Sequence, residues 1–166
     1  MQNSKLGYQL TDGNRPLAYA KENNDCTVRG LSLFFGVDYE IAHKTCETYG
    51  RKNNHGMNER SLIKALKSLS RKTSLNAVQI ARTGTVEKIV NKYPSEKILI
   101  HKAKHLFCID KSIIKDTFVP SELSHVKHAW ILKNPIQKIE PVQPVQPVQK
   151  NPDYEIIDGI KWVTIK

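Results

Sequence analysis

The apolar residues of this chain follow a helical period first and a strand-like alternation afterwards, and that order constrains the fold more than any other feature. Asn23-Asn24-Asp25 supplies N-cap chemistry ahead of Val28, Leu31, Leu33, Phe34 and Phe35, which end at Gly36. This predicts a buried helix over about 25–35. Asp38 opens a second helix through Ile41, Ala42, Thr45, Cys46 and Tyr49, stopped by Gly50. A third, about 58–70, carries Leu62, Ile63, Leu66 and Leu69 on one stripe. Strand signals follow at 76–80, 97–100, 106–109, 113–118 and 129–132, interrupted by a brief helix after Thr85. Residues 1–22 read as loop. Helices segregated from strands indicate an α+β fold, with N-terminal helices followed by an antiparallel sheet.

Length and composition are compatible with that reading. A chain of 166 residues supports about one domain with a real core. Its 39% hydrophobic and 25% charged residues exclude a wholly disordered or collagen-like chain. No apolar stretch approaches the roughly 20 residues of a membrane helix, so no membrane partner is expected. Met1 to Leu10 contains no signal-peptide core, and a cytoplasmic location is the expectation. Near the end, Pro141-Val142-Gln143 recurs up to Gln149 with the three-residue period of polyproline II. Beyond it, Asp158-Gly159 suits a tight hairpin turn. The expected organisation is an α+β domain over 1–138, a Pro-Val-Gln linker over 139–153 and a β tail over 154–166.

Three cysteines without a CxxC pair argue against a disulfide framework. His101, His105 and Cys108 are close in sequence, but no second pair has zinc-ligand spacing, so neither metal nor cofactor is expected. Cys46 and Cys108 sit among apolar neighbours and read as core. Cys26 differs, because it falls in the first turn of a helix, where the dipole favours a thiolate. A thiol nucleophile needs a base, and the base needs an orienting group. His105 starts a strand, and Asp116 lies on the next one. A hairpin looped at Asp110-Lys111 would pair Ile109 with Ser112, Phe107 with Ile114 and His105 with Asp116.

The segment Asn24-Asp25-Cys26-Thr27-Val28-Arg29-Gly30-Leu31-Ser32-Leu33, followed by Asp38-Tyr39 and Tyr49-Gly50-Arg51-Lys52, resembles a group of small phage and bacterial papain-like proteins. These open on an Asn-Asp-Cys-Thr-Val-Arg-Ala-Leu type of motif. The segments Lys104 to Asp110 and Lys115 to Phe118 resemble the group's His and Asp strands. Two departures matter. Lys104, before the histidine, and Lys111, in the turn, stand where glycines are expected. The resemblance implies a papain-like cysteine peptidase, isopeptidase or deamidase acting on a protein or peptide. Cys26 would be the nucleophile, His105 the base and Asp116 the orienting group. The upstream glutamine that papain-like enzymes use for the oxyanion has no match near enough, Gln9 being too far, and the Asn24 amide is the donor chosen from the residues beside the cysteine. The resemblance also implies a phage origin.

A different reading rests on charge. The formal charge is 26 − 16 = +10, and Arg60, Lys64, Lys67 and Arg71 recur on one side of the third helix. A non-catalytic module of the same fold, binding an acidic partner or nucleic acid through that face, is the alternative.

Overall fold

The computed structural model describes residues 6–118 and 124–134, together with the backbones of two short strands at 154–157 and 160–163. The chain divides into two units, Met1–Pro135 and Ile136–Lys166. The first is α+β, with four helices and a mixed six-stranded sheet. In chain order its elements are β1 (Gly7–Leu10), α1 (Cys26–Phe35), α2 (Tyr39–Thr48), α3 (Glu59–Thr73), β2 (Asn76–Ala81), α4 (Val86–Lys92), β3 (Lys97–Lys102), β4 (His105–Asp110), β5 (Ile113–Asp116) and β6 (His128–Lys133). The second unit contains an antiparallel pair, β7 (Tyr154–Ile157) and β8 (Ile160–Val163). The expected Asp158-Gly159 turn and the Pro-Val-Gln repeat lie outside the described residues. Among the described residues no helix is long and apolar enough to cross a membrane.

The helices begin and end where local chemistry dictates. The side chains of Asn58 and Thr85 accept hydrogen bonds from the backbone N–H groups of Ser61 and Lys88, capping α3 and α4. Gly36 closes α1 in the left-handed region at φ 67°. The sheet runs in the order β1-β5-β4-β3-β6-β2. Its strands are sandwiched between helices, which explains their nearly continuous apolar runs. Leu99, Leu106, Cys108 and Trp130 pack with α1, α2 and α3. Ile98, Ile100, Phe107, Ile109, Ile114, Ala129 and Ile131 pack with Val86, Ile89 and Val90 of α4. Side chains alternate between the two cores because the pleat has period two.

Two expectations need correction. A strand, β1, precedes all the helices, and it pairs in parallel with β5, so the sheet is mixed rather than antiparallel. Tyr8, Gln9 and Leu10 are exposed, and β1 owes its place to backbone hydrogen bonds at the sheet edge. Such a strand carries no alternation for a sequence reading to detect. The second correction concerns the β4–β5 hairpin. Its turn is Lys111-Ser112, with both residues at positive φ (49° and 64°), rather than Asp110-Lys111. The paired residues are Cys108↔Lys115, Ile109↔Ile114 and Asp110↔Ile113. The register therefore differs by two positions from the expected one, which preserves the face of every side chain.

Helix α1 lies directly on β4. A Cβ at Gly30 would come within 3.2 Å of the Leu106 side chain and 3.4 Å of the Leu106 carbonyl. Glycine here lets the helix axis approach the strand. The hairpin geometry yields a test. Two successive positive-φ residues define the turn type that favours Asn-Gly, and Lys-Ser is strained there. The double substitution Lys111→Asn, Ser112→Gly is expected to raise stability by about 1 kcal/mol, read as a higher urea midpoint with an unchanged slope.

Candidate active site

Cys26 is the first residue of α1, after the N-cap Asp25. Asp25 makes no side-chain cap hydrogen bond, because its buried carboxylate is engaged elsewhere. Oδ2 accepts from Tyr39 Oη at 2.9 Å and from Arg15 Nη1 at 3.3 Å. Oδ1 lies 2.9 Å from Arg29 Nε, one turn along the helix. The carboxylate therefore leaves the first-turn N–H groups beside the thiol uncapped, with the positive end of the dipole facing it.

His105 is the first residue of β4, and Asp116 is the last of β5. Extending the observed register places Phe118, not Asp116, directly opposite His105. The His105 and Phe118 rings are indeed neighbours, with centroids 4.6 Å apart. Asp116 is the diagonal neighbour on the same face, within side-chain reach. His105 Nε2 and Asp116 Oδ2 are 2.5 Å apart. The Thr117 N–H donates to Asp116 Oδ1 at 2.7 Å, and Arg29 Nη1 lies 3.8 Å from the same oxygen. These contacts orient the buried carboxylate. With Nε2 engaged by Asp116, Nδ1 is the ring nitrogen left for the Cys26 thiol, which lines the same cleft.

Electrostatics then favours charge separation. Burial pushes the Cys26 thiol up. The hydrogen bonds from His105 and from the Leu106 backbone N–H, with the charges of His105 and Arg29, outweigh burial and hold it below its ordinary value. The Leu106 N–H is at hand because the β4–β5 ladder stops at Cys108↔Lys115, short of Leu106. Burial pulls His105 down, but hydrogen bonds to Asp116 and Cys26 raise it to about 9. Cys46 and Cys108 are buried, and burial pushes each to about 12. Of the three thiols, only Cys26 is both partly exposed and shifted toward the reactive thiolate.

Cys26 and His105 line a cleft of about 310 Å³ with Asn24, Thr27, Gly56, Met57, Leu62, His101, Lys104 and Leu106. Asn24 is in the left-handed region at φ 55° and donates through Nδ2 to the Asn54 carbonyl at 3.2 Å, which leaves one amide hydrogen free of that bond. The loop opposite the thiol is fastened from below. Arg51 Nη2 is 2.5 Å from Glu22 Oε2, and the Asn54 N–H donates to Glu22 Oε1 at 3.3 Å. Burial raises the Glu22 carboxyl, yet Arg51, Asn54 and His43 together keep it below its usual range. Arg60, Lys64, Lys67 and Arg71 are all exposed on α3. Lys67 and Arg71 flank a separate groove with Trp130, Ile63 and Gln79.

Comparison with known protein families, with curated proteins and with solved structures finds no match for this chain.

Sequence reasoning did not single out Asp25, Arg29, Tyr39 and the Leu106 N–H as parts of the site. Asp25 and Arg29 stand at i and i+4 on a helix, a spacing that signals an ion pair. Nothing in the order of residues signals the other two. Arg51 is buried against Glu22. Removing one member of a buried ion pair strands the other charge. Arg51→Ala is therefore expected to destabilise the fold by about 3–5 kcal/mol, measured by denaturant unfolding near pH 7. Glu22 has a folded-state pKa below its unfolded one. Its contribution is thus present above the ordinary carboxyl range and lost as pH falls through the folded value.

Proposed function

We propose that this chain is a papain-like thiol hydrolase acting on an amide of a protein or peptide, as a cysteine peptidase, isopeptidase or deamidase. The observation that carries this reading is that Cys26 and His105 line one cleft, each shifting the other's ionisation, with Asp116 hydrogen-bonded to the imidazole. In the proposed reaction the Cys26 thiolate attacks the carbonyl carbon. The oxyanion that forms is met by the Cys26 backbone N–H and the free amide hydrogen of Asn24. As the C–N bond breaks, the His105 imidazolium gives its proton to the departing nitrogen, and Asp116 holds the ring in position. Water, deprotonated by the neutral imidazole, then cleaves the thioester. This releases the acid and restores the thiol.

The test is alkylation of the folded protein with iodoacetamide across pH, with sites assigned by mass spectrometry. Cys26 should be the residue modified near neutral pH, while Cys46 and Cys108 react only on unfolding. His105→Ala is expected to slow Cys26 labelling at pH 7 at least tenfold, since one unit of thiol pKa is a factor of ten. Hydrolysis needs both thiolate and imidazolium. Its rate should climb as Cys26 ionises and decline above about 9, where His105 loses its proton. Equal, slow labelling of all three cysteines would sink the reading.

One observation favours the binding alternative. Among the described residues, no ion pair engages Arg60, Lys64, Lys67 or Arg71. If α3 binds nucleic acid, binding will rest on phosphate contacts and weaken steeply with salt. Duplex DNA and single-stranded RNA titrated by fluorescence anisotropy at 50 mM and 200 mM salt check this. For four phosphate contacts the affinity should fall by about two orders of magnitude. No binding at the lower salt excludes the partner.

A further inference from the structure

A second group of chemically able side chains lies beside the thiol cleft. Glu59 opens α3, His101 is on β3 and His128 starts β6. One ligand atom from each falls within 4.8 Å of the others. His101 and His128 are opposite each other in the β3–β6 ladder, and their rings stack at 5.7 Å with planes only 10° apart. His128 Nε2 is 3.0 Å from Glu59 Oε1. Two ligands of a tetrahedral ion at about 2.1 Å from each stand about 3.4 Å apart, so this pair would need to open by only a few tenths of an ångström. Among the described residues the His101 ring makes no hydrogen bond, and its Nδ1 is buried without a partner. A buried imidazole nitrogen left in this state calls for an explanation.

We propose that Glu59, His101 and His128 form a binding site for a divalent first-row transition ion such as zinc. Two imidazoles and one carboxylate suit that class rather than calcium or magnesium, which prefer oxygen ligands. The site would pin the N-terminus of α3 to strands β3 and β6. Because His101 also lines the thiol cleft, the ion would add positive charge to the cleft wall.

The outer partner is Gln79. Its Nε2 lies 2.7 Å from His128 Nδ1 and 3.3 Å from the Ala81 carbonyl. In that arrangement the amide donates to Nδ1, so the His128 proton is on Nε2, facing Glu59. Metal binding moves this proton to Nδ1 and leaves the Nε2 lone pair for the ion. Gln79 then turns its amide over, so that Oε1 accepts the relocated proton. A ligating histidine whose other nitrogen donates to an oxygen is the usual support for such an ion. Gln79 is thus a positioning residue for the site.

The experiment uses the untagged full chain carrying Cys26→Ala, which removes the thiol as a competing ligand, freed of metal by chelation. Zinc is titrated calorimetrically, and thermal midpoints are recorded with and without it. One zinc per chain is expected, with a micromolar or tighter Kd and a rise in the midpoint. Glu59→Gln changes an exposed side chain, so the fold should persist, and it should weaken binding at least tenfold. His128→Ala should do the same. Gln79→Glu should tighten binding, because a carboxylate is the stronger acceptor for the His128 N–H. An unchanged Kd in Glu59→Gln would overturn the proposal. So would zinc uptake that requires Cys26, since that would put the ion at the thiol. Neither result depends on whether the thiol hydrolyses anything.

Discussion

Everything at the cleft depends on how closely α1 can approach β4. The thiol belongs to the helix and the imidazole to the strand, and their partnership requires the first turn of one to meet the first residue of the other. Gly30 makes this possible, one helical turn beyond Cys26, by leaving no side chain between the helix and Leu106. A Cβ there would meet the Leu106 side chain at 3.2 Å, so that side chain would have to give by a few tenths of an ångström. The same contact delivers the Leu106 N–H to the sulfur. Packing and electrostatics at this site are therefore a single constraint rather than two.

Around that contact, buried charges are arranged so that none stands alone. Arg29 bridges two carboxylates, Asp25 on its own helix and Asp116 on β5. Asp116 in turn faces His105. Below the loop that forms the opposite wall, Glu22 and Arg51 make a second, separate pair. Buried ion pairs are weak sources of stability but penalise any arrangement that breaks them. Here they fix the positions of segments distant in sequence: the turn before α1, the end of β5 and the loop after α2.

Much of this was legible in the sequence, and the reasons differ from residue to residue. The helices were legible from their apolar stripes and, for the last, from its cap, as at Leu62-Leu66-Leu69 and Thr85, whereas Asp25 and Asp38 cap nothing with their side chains. Cys26 could be distinguished from Cys46 and Cys108 because helix position and apolar context are local properties. The association of His105 with Asp116 came through a register wrong by two. It survived because parity, not exact pairing, decides which face a strand residue occupies. The two lysines that replace expected glycines, Lys104 and Lys111, do occupy left-handed backbone, at φ 60° and 49°. The glycine pattern thus described the backbone correctly, even though this chain satisfies it with other residues. What stayed hidden was non-local. Strand β1 has no periodicity to announce it, and the meeting of Glu59, His101 and His128 follows only from strand order.

The position of β1 has a kinetic side. It docks in parallel on β5, and the Thr11 N–H closes on the Asp116 carbonyl at 2.8 Å. Asp116 therefore sits on a strand flanked by β1 on one side and by β4 on the other. Pairings between such remote segments form late, after much loop entropy has been lost. The approach of α1 to β4, which brings Cys26 to His105, is a contact of the same long-range kind. Away from that contact the Cys26 thiol lacks the groups that lower it, so its shift belongs to the assembled fold rather than to the local sequence.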